Sequence, residues 1–131
     1  RDMGAYIWGD VDAWIKKELR WRTIKDHEKE AELVQGIKIL NFGSGHAYGM
    51  LGLHIELPGK GNLLLASDAL YTAESLGPPV KPPGILYDSL GYLNTAEYIR
   101  QYAKRNESTI WYGHDANQFS SFIKSTEGYY E

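Results

Sequence analysis

The chain contains no cysteine among its 131 residues, and histidine is scarce. Disulfide bonds and thiolate metal ligands are therefore excluded. A chain without cysteine fits a reducing compartment, so we predict a cytoplasmic protein. Any role for imidazole chemistry falls on the four histidines His27, His46, His54 and His114.

The chain also lacks long apolar runs and an excess of positive charge. No apolar run approaches the roughly 18 residues of a membrane-spanning helix, and the first residues do not have the pattern of a signal peptide. Lysine and arginine number 14 against 17 acidic residues, which gives a net charge of -3. Binding to nucleic acid needs a concentrated basic patch. We therefore predict neither a membrane nor a nucleic-acid partner.

What is present is ordinary globular material, with 43% hydrophobic and 24% charged residues. The length suits one domain or part of one. Strand patterns and helix patterns alternate loosely along the chain, which predicts an α/β fold. The sequence predicts strands at 4–8, 36–42, 51–57, 63–66 and 109–112, and helices at 10–19, 88–105 and 118–124.

Two of these patterns predict which faces are buried. Residues 51–57 alternate leucine or isoleucine with other residues, so we expect one buried apolar face, with His54 on the opposite face in a structural or exposed position. Residues 10–19 have apolar residues at helical spacing and predict an amphipathic helix. The segment 73–87 holds four of the five prolines and shows no periodicity, so we interpret it as an ordered loop.

Imidazole and carboxylate groups follow three of the predicted strands. His46 lies in a glycine-rich turn, Asp68 follows an apolar strand, and His114 and Asp115 follow the last strand. A lone histidine in such a turn is often a surface or capping residue, and Asp68 could cap the next element. Together, however, the three positions predict a site for zinc or a similar borderline metal, because rigid strands fix ligands at their ends.

The same motifs resemble those of the metallo-β-lactamase superfamily, and in particular of its N-acyl-homoserine lactonases. That family has a metal-binding histidine in a Gly-His-x-x-Gly turn, as in residues 45–49 here. It has an aspartate that bridges two metals at the end of an apolar strand, with a tyrosine three residues later, as Asp68 and Tyr71 are arranged here. Its last metal-binding histidine lies in a Gly-His-Asp turn, as His114 does.

One signature of the family is missing, because no His-x-His-x-Asp-His run occurs in this chain. In addition, Met50 occupies a position after the turn where the family often has a second histidine. The resemblance therefore implies that residues 1–131 are a single partial domain, the C-terminal half of an αββα sandwich. Such a half exposes an apolar face, so we expect it to associate with the missing N-terminal half or with itself.

For the site, the resemblance implies two divalent metal ions, with zinc as first choice and iron or manganese as alternatives. His46 would belong to one ion and His114 to the other, and Asp68 would bridge them. Because the remaining ligands lie outside this chain, we expect the isolated chain to bind metal weakly or not at all and to be inactive.

For the reaction, the resemblance implies a hydrolase that opens the lactone ring of N-acyl-homoserine lactones, or a related ester, by attack of a metal-bound hydroxide. Tyr71 would hydrogen-bond the substrate and stabilise negative charge, and Asp68 could pass a proton to the leaving alkoxide. Ile85 and Leu86 are candidates for contact with an acyl chain. The alternatives are a thioesterase of the glyoxalase II type or another hydrolase of this fold, and a non-catalytic interaction module that lacks half of the metal ligands.

Overall fold

The computed structural model of the chain describes residues 7–17 and 19–131. In this part of the chain the strands are β1 (Glu30–Val34), β2 (Ile37–Gly43), β3 (Met50–Leu57), β4 (Gly61–Leu65) and β5 (Ser108–Trp111). The α-helices are α1 (Trp8–Lys16), α2 (Ala73–Leu76), α3 (Ser89–Arg105) and α4 (Ala116–Ser120), and one 3₁₀ turn spans Ser67–Ala69. The predicted α/β class is confirmed, and so are the strands and the long helix between residues 36 and 112.

The strands form one mixed sheet with the order β1-β2-β3-β4-β5. The first four strands are antiparallel neighbours, as short hairpin connections require, and β5 pairs parallel with β4. The parallel pairing needs a long crossover, which α3 provides. As a result, the C-terminal ends of β2, β4 and β5 lie at the same edge of the sheet.

The helix α3 covers one face of this sheet and forms the core with it. Asp88 caps the helix by accepting a hydrogen bond from the Gly91 backbone N–H, and the Thr95 hydroxyl donates to the Phe42 carbonyl at 2.8 Å. The apolar spacing of α3 predicts that Leu93 faces the core, but Leu93 is exposed and the neighbouring Tyr92 is buried instead. The buried residues of α3 are Tyr92, Thr95, Ala96, Ile99, Tyr102 and Ala103.

The faces of β3 are opposite to the expectation. His54 is only 2% exposed and packs against the Tyr102 ring of α3, with ring centroids 5.3 Å apart. Leu51 on the other face is 42% exposed, and the three apolar residues that follow it on that face, Leu53, Ile55 and Leu57, are only half-buried. The alternation predicted correctly which residues share a face, but it could not identify the face on which α3 packs.

We call the sheet face opposite α3 the open face. The C-terminal segment covers its β4–β5 side, where the Trp111 ring stacks on Phe122 and meets Tyr130 edge-on. The predicted apolar stripe of α1 is not buried in the described part of the chain, where α1 has no buried residue and Trp14 and Ile15 are exposed. No helix in the described ranges is long and apolar enough to cross a membrane.

Some predicted elements differ at the ends of the chain and in the loops. The strand predicted at 4–8 falls mostly outside the described residues, and Trp8 is the first residue of α1. The helix predicted at 118–124 begins earlier and ends at Ser120. The loop 73–87 contains α2, whose four residues are too few to produce a periodic pattern.

Candidate metal centre

Three loops at one edge of the sheet bring together the imidazoles and the carboxylate that the sequence predicted as ligands. The Nε2 atom of His114 lies 3.0 Å from Oδ1 of Asp68. The Nε2 atom of His46 lies 3.5 Å from the other carboxylate oxygen, Oδ2. Asp68 is therefore flanked by two imidazoles, each of which faces a different oxygen of its carboxylate.

Tyr71 completes this group of side chains. Its hydroxyl lies 3.4 Å from Nε2 of His46, and its ring packs edge-on against the His114 ring with centroids 4.5 Å apart. Burial raises the pKa of the Tyr71 phenol, and the charge of Asp68 raises it further. The phenol is therefore protonated at neutral pH and is able to donate a hydrogen bond.

The turn that carries His46 is fixed to the beginning of α3. The backbone N–H groups of Tyr87 and Asp88 both donate to the Gly45 carbonyl at 3.0 Å. The Ser44 hydroxyl donates to Oδ2 of Asp88 at 2.9 Å, while Oδ1 of the same carboxylate caps α3. These two backbone hydrogen bonds, together with the hydrogen bond from Ser44 to Asp88, position His46 at the sheet edge.

Two glycines permit this close contact between the turn and the helix. A Cβ atom on Gly91 would lie 2.5 Å from the Ser44 carbonyl oxygen. A Cβ atom on Gly45 would lie 3.3 Å from the backbone N and Cα of Tyr92. Glycine is therefore required at both positions for packing, because a side chain at either would collide with or crowd the facing backbone.

Asp68 and His114 lie on segments that pair with each other beyond the ends of their strands. The Gly113 N–H donates to the Leu70 carbonyl at 3.0 Å, and the His114 N–H donates to the Tyr71 carbonyl at 2.8 Å. Ser67, just before Asp68, has a positive φ of 50°. A Cβ atom on Gly113 would lie 2.6 Å from the Ser67 carbonyl oxygen, so only glycine allows this approach.

Asp115 has a structural role that the sequence did not predict. The sequence identified it only as the last residue of the Gly-His-Asp turn. It caps α4 by accepting from the Gln118 N–H at 3.0 Å. Its second oxygen accepts from the Ala73 N–H, also at 3.0 Å. These backbone hydrogen bonds lower the pKa of Asp115, and the bond from Gln118 has the larger effect. The spacing of Asp115 before a short helix could have indicated the cap, but the contact with Ala73 has no local signal.

The donor chemistry of the group fits a borderline divalent metal, although its ligand set is incomplete. Two ligands of a tetrahedral zinc ion, each about 2.0–2.1 Å from it, lie about 3.3 Å apart, close to both separations between Asp68 and its imidazoles. Each imidazole lies near only one oxygen of the Asp68 carboxylate. A zinc ion placed between the two would therefore have two protein ligands, whereas protein zinc sites have three or four. Accordingly, no three such side chains in the described residues form an arrangement that would hold a metal by itself.

Comparison with known proteins gives consistent results. No protein-family model matches the chain. The N-acyl homoserine lactonase AiiB of Agrobacterium fabrum is 48% identical over 126 residues, which are 96% of this chain and 46% of that protein. The N-acyl homoserine lactonase AttM of Rhizobium radiobacter is 31% identical over 96% of this chain and 47% of its own length. The chain thus spans about half the length of the curated relatives it matches.

Solved structures with the same fold have related names. One is an N-acyl homoserine lactone hydrolase with the product N-hexanoyl-L-homoserine bound at its catalytic metal centre. It superposes with a TM-score of 0.69 and 31% identity, over 79% of this chain and 40% of that one. A quorum-quenching N-acyl homoserine lactone lactonase also gives a TM-score of 0.69, with 30% identity over 79% of this chain and 41% of its own.

Proposed function

The chain belongs to the metallo-β-lactamase superfamily as the C-terminal half of a lactonase-type fold, and from this we propose that the complete protein is a metal-dependent hydrolase that opens the lactone ring of N-acyl homoserine lactones. The names of the relatives support the substrate class. The observation that carries the proposal is the position of Asp68 between two imidazoles, with one carboxylate oxygen facing each. A carboxylate in this position would be able to offer one oxygen to each of two metal ions.

We propose that His46 and His114 each bind one divalent metal ion and that Asp68 contributes to both. Zinc suits two imidazoles and a carboxylate, with iron and manganese as alternatives. Nδ1 of His46 is buried and has no hydrogen-bond partner within the described residues, so another part of the complete protein would satisfy it. When bound, the ions would supply a water molecule of lowered pKa and an electrophilic centre for the lactone carbonyl.

The phenol of Tyr71 is assigned to the substrate. Its hydroxyl lies near Nε2 of His46 and its ring packs on His114, so the phenol is next to both proposed metal-binding imidazoles. From there it would donate a hydrogen bond to the carbonyl or ring oxygen of the lactone, where negative charge develops. Asp68 is assigned a second role: its carboxylate would accept a proton that derives from the attacking water and pass it to the leaving alkoxide when the ring C–O bond breaks.

The remaining metal ligands and the cover of the open face are proposed to come from the N-terminal half of the same fold. The half-buried apolar residues of β2 and β3 are suited to a second sheet packing on them. The isolated chain would then hold metal weakly and would be inactive, because an incomplete site does not offset the costs of desolvation and ordering. We propose the cytoplasm as the compartment, on the absence of cysteine.

The test is the substitution Asp68→Ala in the complete protein. We expect it to remove both the bound metal, measured by elemental analysis, and the hydrolysis of an N-acyl homoserine lactone. The matched control is Asp12→Ala, which removes a carboxylate of α1 that pairs with Lys16. Full activity of Asp68→Ala would contradict the site assignment. Hydrolysis of an acyl thioester without any hydrolysis of the lactone would contradict the substrate class, and absence of metal in the complete parent protein would favour a non-catalytic module.

A further inference from the structure

Asp115 connects the two segments that carry Tyr71 and His114. It directly follows His114, and its Oδ1 atom caps α4 through the Gln118 N–H at 3.0 Å. Its Oδ2 atom accepts a hydrogen bond from the N–H of Ala73, two residues after Tyr71, at 3.0 Å. The carboxylate therefore joins the segment after β4 to the segment after β5 at the point where their site residues meet.

This connection adds to the backbone pairing of the same segments. The His114 N–H donates to the Tyr71 carbonyl at 2.8 Å, and the two rings are in edge-on contact. The Gly113 N–H also donates to the Leu70 carbonyl at 3.0 Å, so both backbone hydrogen bonds hold the segments at or before Tyr71 and His114. The connection from Asp115 to Ala73 holds them on the other side of these two residues. The relative orientation of the phenol and the imidazole thus depends on the side chain of Asp115.

Only a carboxylate meets the requirement at this position. Both partners of Asp115 are backbone N–H groups, which can only donate, so the side chain must offer two acceptors. Asp88 is a useful comparison, because it caps α3 in the same way but its second partner is the Ser44 hydroxyl. A hydroxyl can donate or accept, so an asparagine could replace Asp88 and keep both contacts. At position 115 an asparagine would place its NH₂ group opposite a donor.

We propose that Asp115 is a positioning residue for the reaction: its two-acceptor carboxylate fixes Tyr71 relative to His114. The inference rests on the proposed hydrolase function and adds to it a residue that touches neither metal nor substrate. Because asparagine is as good a helix N-cap as aspartate, Asp115→Asn retains the cap of α4 and loses the contact with Ala73. The substitution therefore separates the positioning role from simple capping.

The experiment compares Asp115→Asn, Asp115→Ser and the parent, all as complete proteins. Serine also caps a helix but has no NH₂ group to oppose Ala73, so it tests loss of the contact without a new repulsion. The matched control is Glu74→Gln, a change from carboxylate to amide at the exposed residue that follows Ala73 and pairs with Lys81. Measurements are kcat and KM on an N-acyl homoserine lactone, zinc affinity, the melting temperature, and hydrogen exchange of the Ala73 amide.

We expect both Asp115 variants to lose about 10-fold to 100-fold in kcat or in zinc affinity, the usual effect of removing a group that orients a ligand. KM should change little, the melting temperature should stay near that of the parent, and the Ala73 amide should lose its protection. Glu74→Gln should match the parent in all four measurements.

The proposal is overturned if the Ala73 amide keeps its protection in Asp115→Asn. It is also overturned if kcat and zinc affinity stay within twofold of the parent, if they fall only in proportion to the unfolded fraction, or if Asp115→Ser is normal while Asp115→Asn is impaired. If the parent itself does not hydrolyse the lactone, the proposed function fails. Hydrogen exchange and zinc affinity then still decide whether Asp115 has the positioning role.

Discussion

Tyr71 is the residue whose chemistry is most specific to the proposed reaction. We expect Tyr71→Phe in the complete protein to lower kcat by about 100-fold, because removal of one donor to a developing oxyanion has an effect of this size. The metal content should not change, since the phenol is not among the proposed ligands. Burial and the nearby Asp68 raise the pKa of Tyr71, which favours the protonated phenol that the hydrogen bond to the substrate requires.

The matched control for this substitution is Tyr129→Phe, which removes a hydroxyl from a side chain that is 79% exposed. It should leave kcat and metal content as in the parent. A Tyr71→Phe protein with kcat within twofold of the parent would remove the phenol from the mechanism. Loss of metal in that variant would show that Tyr71 supports the ligands instead.

His54 is expected to make the stability of the chain depend on pH. Its ring is 2% exposed, and neither ring nitrogen has a hydrogen-bond partner among the described residues. Burial lowers the pKa of His54, although nearby Glu56 opposes the effect. The unfolded chain therefore binds a proton near pH 6.5 that the folded chain does not bind. The stability that this difference in pKa gives to the folded chain is fully present above pH 6.5. It decreases as the pH falls from 6.5 toward the pKa of His54 in the folded state.

The test is urea unfolding at pH 7.5 and pH 5.5. His54→Leu should reduce the loss of unfolding free energy between these two pH values, whatever its effect on stability at pH 7.5. The control is His27→Leu, which changes an exposed histidine in the segment before β1. Equal pH dependence in the parent and in His54→Leu would mean that His54 accepts a proton without cost in the folded state.

The sequence predicted which side chains meet at this edge of the sheet but not the contacts between them. His46, Asp68, His114 and Tyr71 were identifiable because each follows a strand and matches a family motif. The positions of the two carboxylate oxygens depend on how three loops meet, and no local pattern encodes that. The burial of His54 was missed for a similar reason, since period-two alternation does not tell which face a distant helix covers.

At the scale of elements, the junction between the His46 turn and α3 allows a sharp test. Alanine normally stabilises a helix relative to glycine by up to about 1 kcal/mol. At Gly91, however, the new Cβ would lie 2.5 Å from the Ser44 carbonyl oxygen, so the turn or the helix must move. We expect Gly91→Ala to lower the free energy of unfolding by about 1–3 kcal/mol, as overpacking usually does.

Gly9→Ala is the matched control, because Gly9 lies in α1 and a Cβ there meets nothing within 4 Å in the described part of the chain. It should be neutral or slightly stabilising in urea unfolding. If Gly91→Ala also left the free energy of unfolding unchanged or raised it, the turn would be able to move away from the helix at little cost. In that case the packing of Gly91 against Ser44 would not determine the position of His46.

The elements with a strong period and sufficient length were predicted well. The helix α3 has 17 residues and a regular apolar stripe, so both of its ends were predicted to within one residue, whereas the four residues of α2 left no signal. The helix α1 shows the limit of such patterns. Its apolar spacing predicts a buried face, but burial also requires a facing surface, and among the described residues α1 has none buried and its Trp14 contacts only the Trp21 ring among the aromatic rings.

At the scale of the whole molecule, the open face is the dominant feature. Its β4–β5 side is covered by the C-terminal segment, whose Phe122 stacks on Trp111, but the residues on its β2–β3 side are half-exposed. An apolar face of this kind marks a surface for association. The resemblance to half of a longer fold predicted such a face, yet only the register of the strands tells which residues lie on it.

We therefore expect the isolated chain to sediment as a species larger than its own 14.8 kDa, or to bind a separately produced N-terminal half. Leu51→Lys places a charge on the open face at a residue that is 42% exposed, and it should shift the chain toward the monomer or weaken binding of that half by at least tenfold. The control is Leu90→Lys, at a residue of α3 that is 71% exposed. Because Leu90 lies on the helix and not on the open face, this change should have no effect on association. Analytical ultracentrifugation distinguishes these results, and a parent chain that stays monomeric and binds no second half would contradict the assignment of the open face as an interface.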